Sequence, residues 1–280
     1  MARPVRIEYP GASYYISSKG TEANPVFKGI KDRQEFLSIL QTVSQRMHWT
    51  IYAYNLFSDS YQILIKTKEA NLSKGMRQLN GIYTQRYNLK YLSNGNIFHG
   101  RFKAVLVEAE HLFEAVVQHI LSLPLQQHKT RNIGKWKWSS YQASTGLIDP
   151  PCWLNTKELL SLYSKQKKRS QKILINKIGD YDKNYNLMTQ VQGQILLGSE
   201  KFVNKWKKQL ASGKVIDKAR QRKEKPAKPL NVFAKRYKDP KIAMVNAYKT
   251  GNYTLGEVAD NFNVHYSTVS RLVKKAESRL

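Results

Sequence analysis

The chain has 280 residues, with 47 Lys and Arg against 20 Asp and Glu, giving a formal net charge of +27 and a pI near 10.0. That excess points to a polyanionic partner, nucleic acid before any other, and the length suffices for one sizeable core plus a smaller module. No apolar run reaches the roughly 18 residues of a membrane span, no signal-peptide or lipidation pattern is present, and the single Cys152 excludes an intramolecular disulfide, so a cytoplasmic, nucleoid-associated protein without membrane contact is expected.

Residues 12–19 and 50–66 read as β-strands rich in aromatic and β-branched side chains. Between them, Phe36, Leu37, Leu40, Val43 and Met47 recur at helical spacing, so residues 32–47 form a helix that packs on the sheet. A second helix is predicted over 71–89, a strand over 102–107, and a third helix over 111–123 stopped by Pro124. This order predicts an α+β fold, a ferredoxin-like sandwich with an antiparallel sheet, occupying residues 1–148. Trp136, Trp138 and Tyr141 read as aromatic packing at its edge, and a helical middle region follows over 149–215, including 157–163 and 199–210.

Basic residues cluster at Lys165, Lys167, Lys168 and Arg169, and again from Lys218 through Arg220, Arg222, Lys223, Lys225 and Lys228 to Lys235 and Arg236. With Pro226 and Pro229 inside it, the second cluster reads as a linker, 216–238, able to track phosphates without adding specificity. The tail, 239–280, is clearer. An amphipathic helix over 240–250 uses Ile242, Ala243, Val245, Asn246 and Tyr248, and two further helices, 254–261 and 267–277, flank a short turn. Thr254 with Glu257 three residues on forms a capping box; Asn263 suits a left-handed turn; Phe262, Val264, Val269 and Leu272 close a small core around Ala259. This is the pattern of a helix-turn-helix, whose last helix would enter the major groove of duplex DNA. The expected contact set is His265, Tyr266, Ser267, Thr268, Ser270 and Arg271, with Ser267, Thr268 and Arg271 as base readers and Lys274 and Lys275 on phosphate.

The opening Ala2–Gly11, the stretches Asn71–Gly81 and Tyr83–Asn88, Phe98-His99-Gly100-Arg101-Phe102-Lys103-Ala104 and Trp138-Ser139-Ser140-Tyr141, followed by Leu196–Val203 and His265–Arg271, stand in the order and spacing of one family. In them the chain resembles the REP-associated tyrosine transposases of the single-tyrosine HUH transposase superfamily, in a longer subgroup with an added DNA-binding tail. The resemblance implies a strand carrying two metal-binding histidines and a helix carrying a tyrosine nucleophile four residues before an Asn-Pro pair. Here the strand presents Ser60 and Gln62, the helix presents His119, and Leu123 precedes Pro124. Strand alternation keeps Ser60 and Gln62 on one face, but a hydroxyl and a neutral amide are poor ligands, so neither metal nor other cofactor is expected. Tyr83 and Tyr87 match other family positions and do not repair the site.

The expectation is therefore a catalytically inactive, domesticated transposase relative, not an enzyme, that binds DNA sequence-specifically as a transcriptional regulator. The family's first domain also implies contact with hairpin or single-stranded DNA, through Arg77, Gln78, Arg86, Arg101 and Lys103. A homodimer would extend the few base pairs one helix-turn-helix can read. Two alternatives stand beside this: a residual metal-dependent nuclease using His119 with Asp59 and Gln62, and a nucleoid or RNA-binding protein driven by charge alone.

Overall fold

A computed structural model describes residues 6–21, 25–182, 185–212, 229–237 and 239–277. The chain divides into two units, 1–219 and 220–280. The expected linker cations Lys218, Arg220, Arg222, Lys223, Lys225 and Lys228, and the first four residues of the opening motif, lie outside the described residues.

The first unit begins β1 (Ser13–Lys19), α1 (Ile30–Met47), β2 (Trp49–Leu56), β3 (Ser60–Thr67), α2 (Leu72–Tyr91), β4 (Lys103–Val107) and α3 (Ala109–Gln126). With β5 (Leu196–Leu197) the sheet has the order β2-β3-β1-β4-β5, antiparallel through its first four strands and parallel between β4 and β5. A βαββαβ order with β1 inserted between β3 and β4 is the expected ferredoxin-like arrangement. Alternation along the strands builds two cores. Tyr14, Ile16, Ile63 and Ile65 face Phe36, Leu40 and Val43 of α1 and Met76, Leu79 and Tyr83 of α2. Tyr15, Leu64, Val105 and Val107 face Val116, Val117, Ile120 and Leu121 of α3. A bulge between Ile51 and Ala53 inserts one residue into β2, which puts the consecutive Tyr52 and Ala53 into the same core.

Helices α1 and α2 are tied by the buried Asp32, which accepts bonds from Lys90, from the Tyr91 hydroxyl at 2.8 Å and from the Gly29 amide at 2.9 Å. Burial alone would raise this carboxyl; the donors from Lys90, Tyr91 and Gly29 outweigh it and hold Asp32 below its ordinary pKa. At the start of α2 the backbone of Gly75 lies against the Trp49 ring, so a Cβ there would clash with the ring carbons.

Three expectations need correction. Pro124 does not stop α3, which ends at Gln126 before His128 turns the chain at φ 52°. So near the helix end the missing N–H forfeits a single bond, and the Pro124 carbonyl accepts from Lys129 N at 2.9 Å beyond it. Nor does the core stop at residue 148. Short helices α4 (Tyr141–Thr145), α5 (Thr156–Ser161) and α6 (Lys167–Gly179) follow, and Leu159, Leu160, Leu174 and Ile178 join the core beneath α3. β5 extends the sheet, and α7 (Glu200–Ala211) delivers Val203 and Trp206 to the other core. These apolar faces bury themselves against the sheet's layers, so the region expected as a separate middle is part of the first unit.

The second unit comprises α8 (Leu230–Arg236), α9 (Pro240–Lys249), α10 (Leu255–Asn261) and α11 (Tyr266–Glu277). Its core is Phe233, Met244, Ala247, Val258, Ala259, Val269 and Val273, with Phe262, Val264 and Leu272 packed against it. The third correction concerns α9 and its approach. α9 buries Ala243, Met244 and Ala247 while Ile242 is half exposed, and α8, which lies within the expected linker, anchors this core through Phe233. Two alanines on the buried face of α9 let neighbouring helices approach closely, which Ile242 would prevent. Thr254 caps α10: Glu257 N donates to Thr254 Oγ1 at 3.2 Å and Thr254 N to Glu257 Oε2 at 2.6 Å. Asn263 adopts φ 52° in the turn before α11. Among the described residues no helix is long and apolar enough to cross a membrane.

Candidate functional site

The face of the first unit's sheet that lies toward α3 changes character along the strands. Ala53, Leu64, Tyr15 and Val105 are direct partners across β2, β3, β1 and β4 and make an apolar row in the core beneath α3. Two residues along, Asn55, Gln62, Ser17 and Lys103 pair in the same way and make a polar row. Ser60, opposite Lys19, lies two residues beyond Gln62, so Ser60 and Gln62 share a face as alternation requires.

Two of the polar groups in this row, Asn55 and Gln62, are engaged with each other. Trp136 Nε1 donates to Asn55 Oδ1 at 2.9 Å, and Asn55 Nδ2 donates to Gln62 Oε1 at 3.3 Å. Ser60 Oγ donates to Asp59 Oδ1 at 3.0 Å in an exposed turn. A neutral amide whose oxygen already accepts a buried bond, a hydroxyl and one exposed carboxylate do not fit a divalent cation. Among the described residues no group of three or more His, Cys, Asp and Glu could hold a metal ion.

His119 lies in the core layer of α3 at 2% exposure, its Nδ1 3.4 Å from the Tyr181 hydroxyl and its ring 6.0 Å from that of Tyr15. Burial lowers its pKa to about 4, so it is neutral at pH 7. Tyr181, half-buried, has its hydroxyl pushed up to about 12 by the same desolvation. Tyr83 and Tyr87 belong to the opposite core, where their hydroxyls donate to the carbonyls of Val26 at 2.6 Å and Pro25 at 3.0 Å.

The expected DNA contacts of this unit separate into two groups. Arg77, Gln78 and Arg86 sit on α2, where Gln78 Oε1 accepts from Arg46 at 3.0 Å and Arg86 pairs with Glu35 at 3.3 Å. Arg101 and Lys103 instead line a cavity of about 550 Å³ beside the polar row. Its other walls include Arg6, Tyr15, Ser17, Phe102, Met188, Val191, Gln194 and Ile195. Sequence reading singled out none of the 188–195 wall residues, because nothing local connects that loop to β4. Arg6 stood in the opening motif, the one signal available.

In the second unit, the expected set lies on the start and outer face of α11. His265, Tyr266, Arg271, Lys274 and Lys275 are exposed, and Ser267, Thr268 and Ser270 are half-buried. The His265 ring caps the helix: Ser267 N donates to its Nδ1 at 3.4 Å, with Ser267 Oγ 2.9 Å from the same atom. Arg271 Nε donates to the Ser267 carbonyl at 3.3 Å, laying the guanidinium along the same turn of α11.

Residues 19–121 match the family model of IS200-like transposases. No curated protein matches the chain. Among solved structures, a REP-associated tyrosine transposase bound to a REP hairpin is similar at 15% identity over 54% of this chain and 89% of that one, with a TM-score of 0.47. The tRNA(His) guanylyltransferase from Saccharomyces cerevisiae is similar at 12% identity over 66% of this chain and 86% of that one, with a TM-score of 0.30.

Proposed function

From the premise that residues 19–121 place this chain in the IS200-like transposase family, we propose that it is a transposase relative that recognises DNA and does not cut it. In this reading α10 and α11 act as a helix-turn-helix that binds duplex DNA sequence-specifically, and the protein works as a transcriptional regulator. The observation that carries it is the start and outer face of α11, where half-buried Thr268 lies in the capped first turn, exposed Arg271 about one turn beyond it, and Lys274 and Lys275 follow on the exposed side. With that helix in the major groove, Ser267, Thr268 and Arg271 read base edges, Arg271 best suited to guanine through its planar fork. The two lysines bind phosphate and fix register, and the basic cluster from Lys218 to Arg236 adds salt-sensitive affinity. A second copy of the chain supplies the second half-site.

Absence of cleavage is supported by the state of the polar groups. A neutral, buried His119 has no charge with which to assist a phosphate, and Gln62 spends its oxygen on Asn55. In the first unit, Arg101 and Lys103 act as phosphate contacts for unpaired or hairpin DNA. The test is a competition assay with purified full-length protein, selecting bound duplexes from a random pool and then challenging with unrelated duplex. A selected site should be held at least about a thousandfold more tightly than random sequence. Equal affinity for both would refute sequence-specific recognition, and Mg²⁺- or Mn²⁺-dependent cutting of hairpin DNA would refute the absence of cleavage.

A further inference from the structure

The cavity beside β4 has a composition that duplex recognition by the second unit leaves unexplained. Three cations line it, Arg6, Arg101 and Lys103, and no carboxylate does. Among the described residues none of the three is within ion-pairing distance of a carboxylate. Arg6 is held in place: its guanidinium lies 3.6 Å above the centre of the Phe102 ring and donates to the Phe102 carbonyl at 2.9 Å. Burial first, and the neighbouring Arg101 second, destabilise its charge, with Glu8 opposing them. An anion in the cavity would relieve both costs.

The remaining walls are of another kind. Val105, Met188, Val191 and Ile195 give an apolar surface, Tyr15 and Phe102 supply aromatic rings, and Ser17 offers a hydroxyl in register with Lys103. Gln194 is held at φ 65° directly after Gly193 at φ 56°, a left-handed pair in the tight turn closed by the Gln192–Leu196 bridge. A non-glycine residue kept in that region next to a cavity is the kind of strain that accompanies ligand sites. Arg6 and the 188–195 wall both lie outside residues 19–121, the segment matched by the family model.

We propose that this cavity binds a nucleoside phosphate monoester, the phosphate against Arg6, Arg101 and Lys103 and the base against the apolar wall formed by Met188, Val191 and Ile195. This deepens the reading of Arg101 and Lys103 as phosphate contacts and rests on it. A monoester carries close to two negative charges at pH 7, which three converging cations suit better than the single charge of an internal diester. At about 550 Å³ the cavity is within the range of small-molecule sites and has room for one nucleotide. Two sources share this chemistry: a free mononucleotide and the 5′-phosphorylated end of a DNA strand.

The experiment is calorimetric titration of the full-length protein with adenosine monophosphate, followed by displacement with inorganic phosphate and with hexanucleotides bearing either 5′-phosphate or 5′-hydroxyl. Saturable binding of the monophosphate is expected, weakened about tenfold or more in Arg6→Gln and in Arg101→Gln, and weakened again as pH falls below about 6 where the monoester takes up a proton. Tighter binding of the phosphorylated hexanucleotide than of the monophosphate would assign the site to strand ends; the reverse order would assign it to a free nucleotide. The proposal is overturned if the monophosphate does not bind saturably, if both hexanucleotides compete equally, or if inorganic phosphate displaces the monophosphate at matching concentrations. It is also overturned if the two variants, with unchanged melting temperature, bind as the parent does. Duplex binding measured on Arg6→Gln separates this result from the function proposed above, since Arg6→Gln should leave site-specific duplex affinity intact.

Discussion

His119 and His265 have the same side chain and opposite circumstances. His119 is buried on α3 with Tyr181 as its neighbour, and beside that core Asn55 and Gln62 are bonded to each other and to Trp136. His265 is exposed at the start of α11, followed by exposed Tyr266, Arg271, Lys274 and Lys275 on a helix whose inner face is anchored by Val269 and Val273. A polar group that has spent its hydrogen bonds inside a fold stabilises that fold, whereas one left facing solvent is available to a partner. By this criterion Asn55, Gln62 and His119 stabilise the first unit's fold, and the outer face of α11 is what the second unit leaves accessible to a partner.

Four measurements can break or sharpen that contrast. The largest effect is expected from acid titration of His119. Its folded pKa of about 4 lies below the unfolded value near 6.5, so its contribution to stability is complete above pH 6.5 and is lost as pH falls from there towards 4. The loss between pH 7 and pH 4 amounts to about 3 kcal/mol, and urea midpoints of His119→Phe across this window should lack that part of the slope. An unchanged slope would mean that His119 is not buried neutral.

Next, Asn55→Ala strands the Trp136 N–H and the Gln62 oxygen in the interior, at a cost of about 2–3 kcal/mol in unfolding free energy. Duplex affinity of the folded fraction should not move; if it fell with stability intact, the polar row would belong to recognition after all. The double substitution Thr268→Ala with Arg271→Ala should do the converse. It should cost about 2 kcal/mol of specific duplex binding, roughly thirtyfold, with unchanged melting temperature. Chromatin mapping of the same variant should lose sharp promoter peaks, and broad coverage insensitive to the substitutions would favour charge-driven packaging instead. The smallest effect is Thr254→Ala, which removes the cap of α10 and should lower stability of the second unit by about 1 kcal/mol.

Much of this was legible in the sequence, and the limits are physical. The aromatic and β-branched runs Tyr14-Tyr15-Ile16 and Ile63-Leu64-Ile65 announced strands, and the Thr254–Glu257 box and Asn263 announced the helix ends around the last turn, since these signals are local; that the strands serve two cores came from the fold. β5 was not legible, because two residues acquire strand geometry only by pairing with Leu106 and Val107. The Trp136–Asn55 bond spans 81 residues, and no local pattern encodes a partner so far away. α8 could have been read from Leu230, Phe233 and Tyr237 at helical spacing, but the cations around them made the segment look like linker. That Ser60 and Gln62 share a strand face was readable from alternation, while the bonds that occupy Gln62 and His119 required the fold.

The edges of the sheet carry a consequence for how the protein is made. β2 is flanked on its open side by residues 138–140 and 154–155, with Leu56 N donating to Trp138 O at 2.8 Å and Asn155 N to Ile51 O at 2.8 Å, and β4 is flanked by β5. All of these covers come after residue 121, where the family match ends. During synthesis the βαββαβ core therefore leaves the ribosome with two bare strand edges, each a template for pairing with another chain; the β2 edge stays bare until residues 138–155 emerge and the β4 edge until Leu196 and Leu197 do. Truncation at the end of the matched segment should yield aggregates, and full-length translation should depend on chaperones that hold nascent strands apart.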